Sequence, residues 1–229
     1  VKYSFIMPYL NRTEQFMATL QSYEQYRDRG DWELIIIEDP KNRKSKQLHG
    51  ELLSITLQFD WVPTLVLAYN REPCYNPAEM FNIGVAASGG EHVILTNPEI
   101  MHKTDILAGL DNQPDEQYTV CACSSDDPRA PWYAHSVHAP SALHFCSCLS
   151  KKLYRTTGGF DEAFVDGIAC EDNDFVERVR YAGIPVVIAD DLLVHHQNHD
   201  RSYFLDRNEW YRLRAINGAI LQRNRGARR

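Results

Sequence analysis

The sequence predicts an α/β protein built on a mostly parallel sheet, and three observations predict it. In the first hundred residues short apolar runs alternate with stretches of helical period, the order that lays helices over a parallel sheet. The runs themselves are unbroken, Ile35-Ile36-Ile37 above all, as strands buried on both faces require. Where they stop, polar and acidic residues follow at once: Glu38 and Asp39 after one run, Thr96, Asn97 and Glu99 after another. In open α/β sheets ligands sit outside the carboxyl ends of the strands, so residues at those ends are the first candidates for chemistry.

Taken in order, residues 3–7 read as a buried strand stopped by Pro8. Asn11 and Glu14 form a capping box that opens a helix, with Phe16, Leu20 and Tyr23 on its apolar face. Residues 32–37 are the second strand, 41–46 a basic connection, then a helix, then a third strand over 64–68. Turn-rich 69–77 precedes a helix over 78–87, which Gly89-Gly90 breaks before a strand at 92–95. A short helix is expected at 106–110, and strands at 120–123 and 143–149 on either side of a polar loop, 124–140. An amphipathic helix spans 171–181, ended by Gly183, with short strands at 185–189 and 192–194 and a final helix from 203 to about 223.

The 229 residues, 44% of them hydrophobic, fit one α/β domain with an ample core. A formal charge of -7 argues against nonspecific nucleic-acid binding, which runs on phosphate neutralisation. Arg212, Arg214, Arg223, Arg225, Arg228 and Arg229 bias the last stretch the other way; it docks on an anionic membrane, joins a partner or, as the commonest fate of such a helix, packs on its own domain. No apolar run approaches the roughly 20 residues that span a bilayer, and no signal segment opens the sequence. The chain starts at Val1 without an initiator Met and is expected to be trimmed or cut from something longer. The expected setting is cytoplasmic, with membrane association through the last helix, and the six cysteines are read as reduced thiols. Cys121-x-Cys123 and Cys146-x-Cys148 each put two thiols on one strand face, as small core residues or as half of a zinc site.

Carboxylates at strand ends and at a helix start suit a phosphate-bound cation and the proton of an attacking hydroxyl. Asp39 emerges from a strand and can accept from ribose hydroxyls or a pyrimidine N–H, or simply start a turn before Pro40. Glu99 offers a hard oxygen ligand, and Asn97 a neutral oxygen or a donor to a sugar; Asn97-Pro98 also makes an ordinary turn. Glu171 and Asp172 open a helix whose amides favour ionised carboxylates, as a general base or as plain helix caps. One imidazole of His195-His196-Gln197-Asn198-His199 completes a metal shell or lies on the surface. Trp132, in an aromatic loop, can stack on the apolar face of a sugar or belong to an ordinary packed loop.

Read together, these pieces resemble the GT-A glycosyltransferases, glycosyltransferase family 2 in particular, over residues 3–196. The motifs are Met7-Pro8-Tyr9-Leu10-Asn11-Arg12, Ile37-Glu38-Asp39, Phe81-Asn82-Ile83-Gly84, Gly89-Gly90, Gly158-Gly159-Phe160-Asp161 and Glu171-Asp172-Asn173-Asp174. Asn97-Pro98-Glu99 stands where Asp-x-Asp is usual, with one negative charge fewer. The resemblance implies a Rossmann-like sheet with a catalytic domain at 1–200 and a basic amphipathic helix at 201–229. Residues 1–100 would be the nucleotide-sugar half and 101–200 the acceptor half. It implies donor contacts at Pro8, Tyr9, Asn11, Arg12, Glu38, Asp39, Asn76, Asn82, Thr96 and Asn97, and a Mn or Mg ion on Glu99 and His195. Acceptor contacts fall at Trp132, Gly159 and Phe160, with Asp172 as base and Glu171 orienting the acceptor. The implied reaction is inverting transfer from a UDP-, GDP- or dTDP-sugar to a glycan, glycolipid or other hydroxyl acceptor, without an organic cofactor. The rival reading is a non-catalytic sugar-nucleotide or glycan-binding module. A nucleotidyltransferase fits less well, because residues 7–13 lack the glycines of a phosphate loop.

Overall fold

In a computed structural model the apolar runs of the first half become the parallel part of one eight-stranded sheet. The structure describes residues 1–10, 12–38, 47–69, 71, 76–128, 130–140, 145–199 and 206–228. The strands are β1 (Tyr3–Tyr9), β2 (Trp32–Glu38), β3 (Thr64–Ala68), β4 (His92–Thr96), β5 (Ile100–His102), β6 (Tyr118–Ser125), β7 (Cys146–Ser150) and β8 (Val186–His196). The helices are α1 (Thr13–Ser22), α2 (Gln47–Gln58), α3 (Ala78–Ala87), α4 (Ile106–Leu110), α5 (Lys151–Thr157), α6 (Glu171–Tyr181) and α7 (Arg207–Ala227). The order across the sheet is β3-β2-β1-β4-β7-β6-β8-β5. Strands β3, β2, β1 and β4 are parallel neighbours, β7 is antiparallel to both β4 and β6, and β6 is parallel to β8. Two antiparallel steps restore direction, so β1, β2, β3, β4, β6 and β8 all end at the same edge of the sheet.

Each face of the sheet has its own core. One holds Phe5, Tyr23, Tyr26, Trp32, Cys121, Cys146 and Val194; the other holds Ile6, Ile37, Phe81, Val120, Phe160 and Phe175. Helix α3 lies against the sheet because Gly84 has no side chain: a Cβ there would collide with Ile6 and come within 2.6 Å of Ile37. His102, buried beneath Tyr26 with its Nδ1 2.7 Å from the Tyr26 hydroxyl, is held neutral by burial, its pKa pushed down to about 3.

Several sequence expectations change. Pro8 does not stop β1 but lies within it, past the last β1–β4 pair, Ile6 with Leu95, where a missing N–H is tolerated. Arg12, not Asn11, is the N-cap of α1 and makes no side-chain cap; the Asn11 box lies outside the described residues, as does the basic connection 41–46. The two short strands expected at 185–194 are one strand, β8, interrupted where Cys121 pairs Ala189 and Ala122 pairs Leu193. Three residues of β8 thus bulge out, and the alternation of faces resets after them. The four strand cysteines are buried free thiols beside the Phe5 core, and among the described residues they form no metal-binding group. No helix among the described residues is long and apolar enough to cross a membrane.

Candidate active site

The common strand edge collects what the sequence singled out. Pro8 and Tyr9 end β1, Glu38 ends β2 and is buried, and Thr96 ends β4 with Asn97 just beyond it. Tyr9 packs edge-on against Phe16 at 5.3 Å, and burial pushes its hydroxyl pKa up. Thr96 is fully buried, and its hydroxyl has no partner among the described groups. Arg12 sits at the start of α1, on the loop leaving β1. Asp39 and Asn11 lie outside the described residues.

Glu99 follows the β4 turn, in which the Pro98 carbonyl accepts from the Thr19 hydroxyl at 2.8 Å and the Glu99 carbonyl from the Gln197 amide at 3.0 Å. Those bonds tie the turn to α1 and to the end of β8. They bring the Glu99 carboxylate to 3.8 Å from His196 Nε2 and 3.6 Å from His199 Nε2. One ligand atom from each of the three lies within 4.8 Å of the others. His196 is buried between Tyr133, ring centroids 4.1 Å apart, and Phe145 at 4.9 Å, which leaves its imidazole little freedom. One carboxylate oxygen with two imidazole nitrogens is a donor set of the kind that holds a divalent ion.

His195, the imidazole expected at that ion, points to the other face. Its Nδ1 lies 3.0 Å from the Ser124 hydroxyl and its Nε2 3.5 Å from Asp126. The cause is the β8 bulge: from its last residue, Leu192, onward, Leu192, Val194 and His196 share the Phe5 face, and His195 alternates away. Trp132 stays 55% exposed beside Tyr133, at the rim of the imidazole pair.

The acid pair opens α6 on the sheet's opposite face, where Phe175 and Val179 are buried. Asn76 connects it to the strand edge: its Nδ2 donates to Glu171 at 2.6 Å while its Oδ1 accepts from the Ala78 amide at the start of α3. Burial, and then the negative charge of Asp172, push the Glu171 pKa up to about 8 despite the Asn76 bond and the helix terminus. Near neutral pH Glu171 is therefore held mostly in its protonated form. One carboxyl is a hydrogen-bond donor and the other an acceptor, a division of labour suited to orienting and then deprotonating a hydroxyl.

The backbone feeding this pair is strained. Ala169 and Cys170 have φ of 61° and 77°, a left-handed conformation that costs residues with a Cβ on the order of 1–3 kcal/mol each. Asn217 of α7 holds them there. It is fully buried and donates to the Ala169 carbonyl at 2.8 Å and the Phe164 carbonyl at 2.9 Å. Further along, Asp174 is buried beneath Arg178, Arg228 and Asn224, fastening the end of α7 to α6.

Three expected ligand contacts are occupied by the chain itself. Asn82 accepts from the Phe160 amide at 2.9 Å and from Tyr154 at 2.6 Å, and donates to the Phe160 carbonyl and Glu162, so its amide clasps the glycine turn and leaves nothing for a nucleotide. Phe160 is 3% exposed, stacked between Phe81 at 4.8 Å and Phe175 at 4.4 Å, and belongs to the core rather than to an acceptor. Gly159, at φ 70°, serves the same turn: a Cβ would come within 2.7 Å of Asn82 Oδ1. Asn217, by contrast, carries a structural role the sequence did not single out, and of the 195–199 run it is His196 and His199, not His195, that stand beside Glu99.

No protein-family model matches the chain, and a search of curated proteins returns no relative. Solved structures do resemble it. The Staphylococcus aureus protein TarS, residues 1–349 in complex with UDP-GlcNAc, superposes with a TM-score of 0.69 at 14% identity over 96% of this chain and 67% of that one. The mannosyltransferase PcManGT of Pyrobaculum calidifontis, in complex with GDP-Man and Mn2+, gives 0.67 at 14% identity over 97% and 64%. The fold is that of the GT-A glycosyltransferases. A further TarS 1–349 structure gives 0.64 at 12% identity, and across these three matches the chain spans 60 to 67% of the other protein. At such identities the likeness shows the fold alone.

Proposed function

We propose that the chain is the catalytic part of a glycosyltransferase that moves a sugar from a nucleotide-diphosphosugar to a hydroxyl acceptor with inversion. The observation that carries this reading is the pairing of two clusters on one strand edge. Glu99, His196 and His199 stand on one side; Glu171 and Asp172 stand on the other. The neighbours in complex with UDP-GlcNAc and with GDP-Man and Mn2+ support the choice of donor class.

In this reading the β1, β2 and β4 ends, with Pro8, Tyr9, Arg12, Glu38, Asp39, Thr96 and Asn97, cradle the nucleotide and its sugar. Glu99, His196 and His199 would hold a divalent ion, which offsets charge on a leaving diphosphate when bound. Glu171, protonated and anchored by Asn76, donates a hydrogen bond that orients the acceptor. Asp172 takes the acceptor proton as its oxygen attacks the anomeric carbon from the face opposite the diphosphate. Trp132 covers the sugar from the imidazole side.

The test is a screen of UDP-, GDP- and dTDP-sugars for binding, hydrolysis and transfer, with and without Mn, on the protein and on Asp172→Asn. Donor turnover that disappears in Asp172→Asn while nucleotide binding persists supports the reading. Nucleotide-sugar binding with equal turnover in both proteins removes the base; no nucleotide-sugar binding at all removes the function.

A further inference from the structure

Helix α7 does more than brace the acid pair. Its Tyr211, Arg214, Gly218 and Leu221 form one wall of a groove of about 440 Å³, and Cys170, the residue before Glu171, forms part of the other. The floor is open at Gly218, where a Cβ would meet nothing within 4 Å. Tyr211 is 51% exposed, with the Arg207 guanidinium 5.7 Å from its ring centroid. Arg214 lies 5.6 Å from the Trp210 ring, which fixes its guanidinium at the groove.

The charge at this groove is not neutralised. Arg212, Arg225 and Arg228 bind Glu209, Glu177 and Asp174, whereas Arg214 makes no ion pair among the described residues. Burial and then the negative charges of Glu171 and Asp172 push the Cys170 thiol pKa up while Arg214 and Arg225 push it down, so both the acids and the open guanidinium are close to this groove wall. A chain of formal charge -7 that leaves a guanidinium open beside an exposed aromatic ring presents a local site for an anion attached to an apolar face. A sugar bearing phosphate or carboxylate has both parts.

We propose that this groove is the acceptor subsite and takes an acidic sugar, its ring over Tyr211 and its anion on Arg214, with a hydroxyl directed past Cys170 to Asp172. The proposal rests on the glycosyl-transfer reading for the hydroxyl's fate but not for the binding itself. A basic membrane-docking face is the less favoured occupant, because acids on the same surface neutralise three of the arginines.

The experiment titrates the full chain with glucose 6-phosphate, glucuronate, glucose and inorganic phosphate, following the Trp210 indole and Arg214 Nε–H resonances by NMR. Both acidic sugars should shift these resonances at millimolar concentration, with glucose and phosphate each at least about 10-fold weaker, since one charged hydrogen bond contributes about that much. Arg214→Gln and Gly218→Phe, which fills the groove without touching the acids, should each weaken the acidic sugars about 10-fold or more and leave UDP or GDP binding with Mn unchanged. Acidic sugars that bind equally to the wild type and both variants, or leave the resonances unmoved, overturn the proposal. So does Arg214-dependent binding of phosphatidylglycerol vesicles with no response to the sugars. Loss of nucleotide binding with the sugar response intact would instead sink the transfer reading and leave the subsite standing.

Discussion

Glu171 provides the sharpest test, because its displaced pKa makes stability depend on pH in a calculable way. Folding moves this carboxyl from an ordinary 4.5 to about 8. At about 1.4 kcal/mol per unit, the whole displacement corresponds to a ceiling of about 5 kcal/mol; half-burial and charge sharing with Asp172 bring the expected effect to about 2–5 kcal/mol. The sign follows from linkage. Below about pH 4.5 the carboxyl is protonated in both folded and unfolded chains and costs nothing. As pH rises toward 8 the unfolded chain releases its proton while the folded chain retains one in an unfavourable site, so stability drains away, and above 8 the loss is complete. Glu171→Gln keeps the shape and the Asn76 contact but cannot ionise. Thermal melts without divalent cations should therefore give similar Tm values for the two proteins near pH 4.5. The variant should pull ahead across pH 5–8 and keep a lead of roughly 5–15 °C above it. In an Asp172→Asn background the lead should shrink, since one of the two causes of the displacement is gone. A Tm difference that stays flat from pH 4.5 to 9, or a variant that falls behind at high pH, refutes the protonated Glu171.

Three further outcomes follow from the same geometry. Glu99→Ala and His199→Ala should each weaken Mn binding, read by electron paramagnetic resonance, by roughly 10-fold or more, while His195→Ala leaves it unchanged; the reverse ranking would return the ion to His195. Asn217→Leu removes the donor from two buried carbonyls and should cost about 2–4 kcal/mol in urea unfolding; a loss within about 0.5 kcal/mol would show that the left-handed turn stands without it. Gly159→Ala should lower stability by at least about 1–3 kcal/mol through its φ of 70° and the approach to Asn82, and a neutral result would mean that the turn repacks freely.

The sequence was most readable where one feature dominates its surroundings. Ile35-Ile36-Ile37 has no alternative to a buried strand, and β1, β2, β3 and β4 fell close to where their apolar runs lie. Strand β5 is three residues long and carries no periodicity, so only its pairing with β8 reveals it. The choice between His195 and His196 depended on a bulge at 190–192; Asp190 and Asp191 look like an ordinary break between two strands, and a one-residue reset of alternation exchanges every face beyond it. Phe160 and Gly159 were attached to a recognised motif, but a motif does not distinguish a residue that touches a ligand from one that shapes the turn beside it. Asn217 was invisible because an asparagine among polar helix residues has the same sequence signature whether it faces water or two buried carbonyls.

That last residue changes what α7 is. Two left-handed residues with side chains, placed immediately before Glu171 and Asp172, carry strain that something outside the loop must hold. The restraint comes from the far end of the chain. The Leu213 carbonyl accepts from Ile168, the Asn217 amide takes the carbonyls on either side, and Arg228 and Asn224 close over Asp174 one turn into α6. A change of about 1 Å at a base or nucleophile is enough to cost a transfer reaction much of its rate. A helix whose polar face reads as a surface of arginines thus sets the position of the Glu171–Asp172 pair, and the groove against Cys170 lies along the same contact. The start of α6 and the groove are held by one interface, so substitutions that loosen α7 should disturb both together.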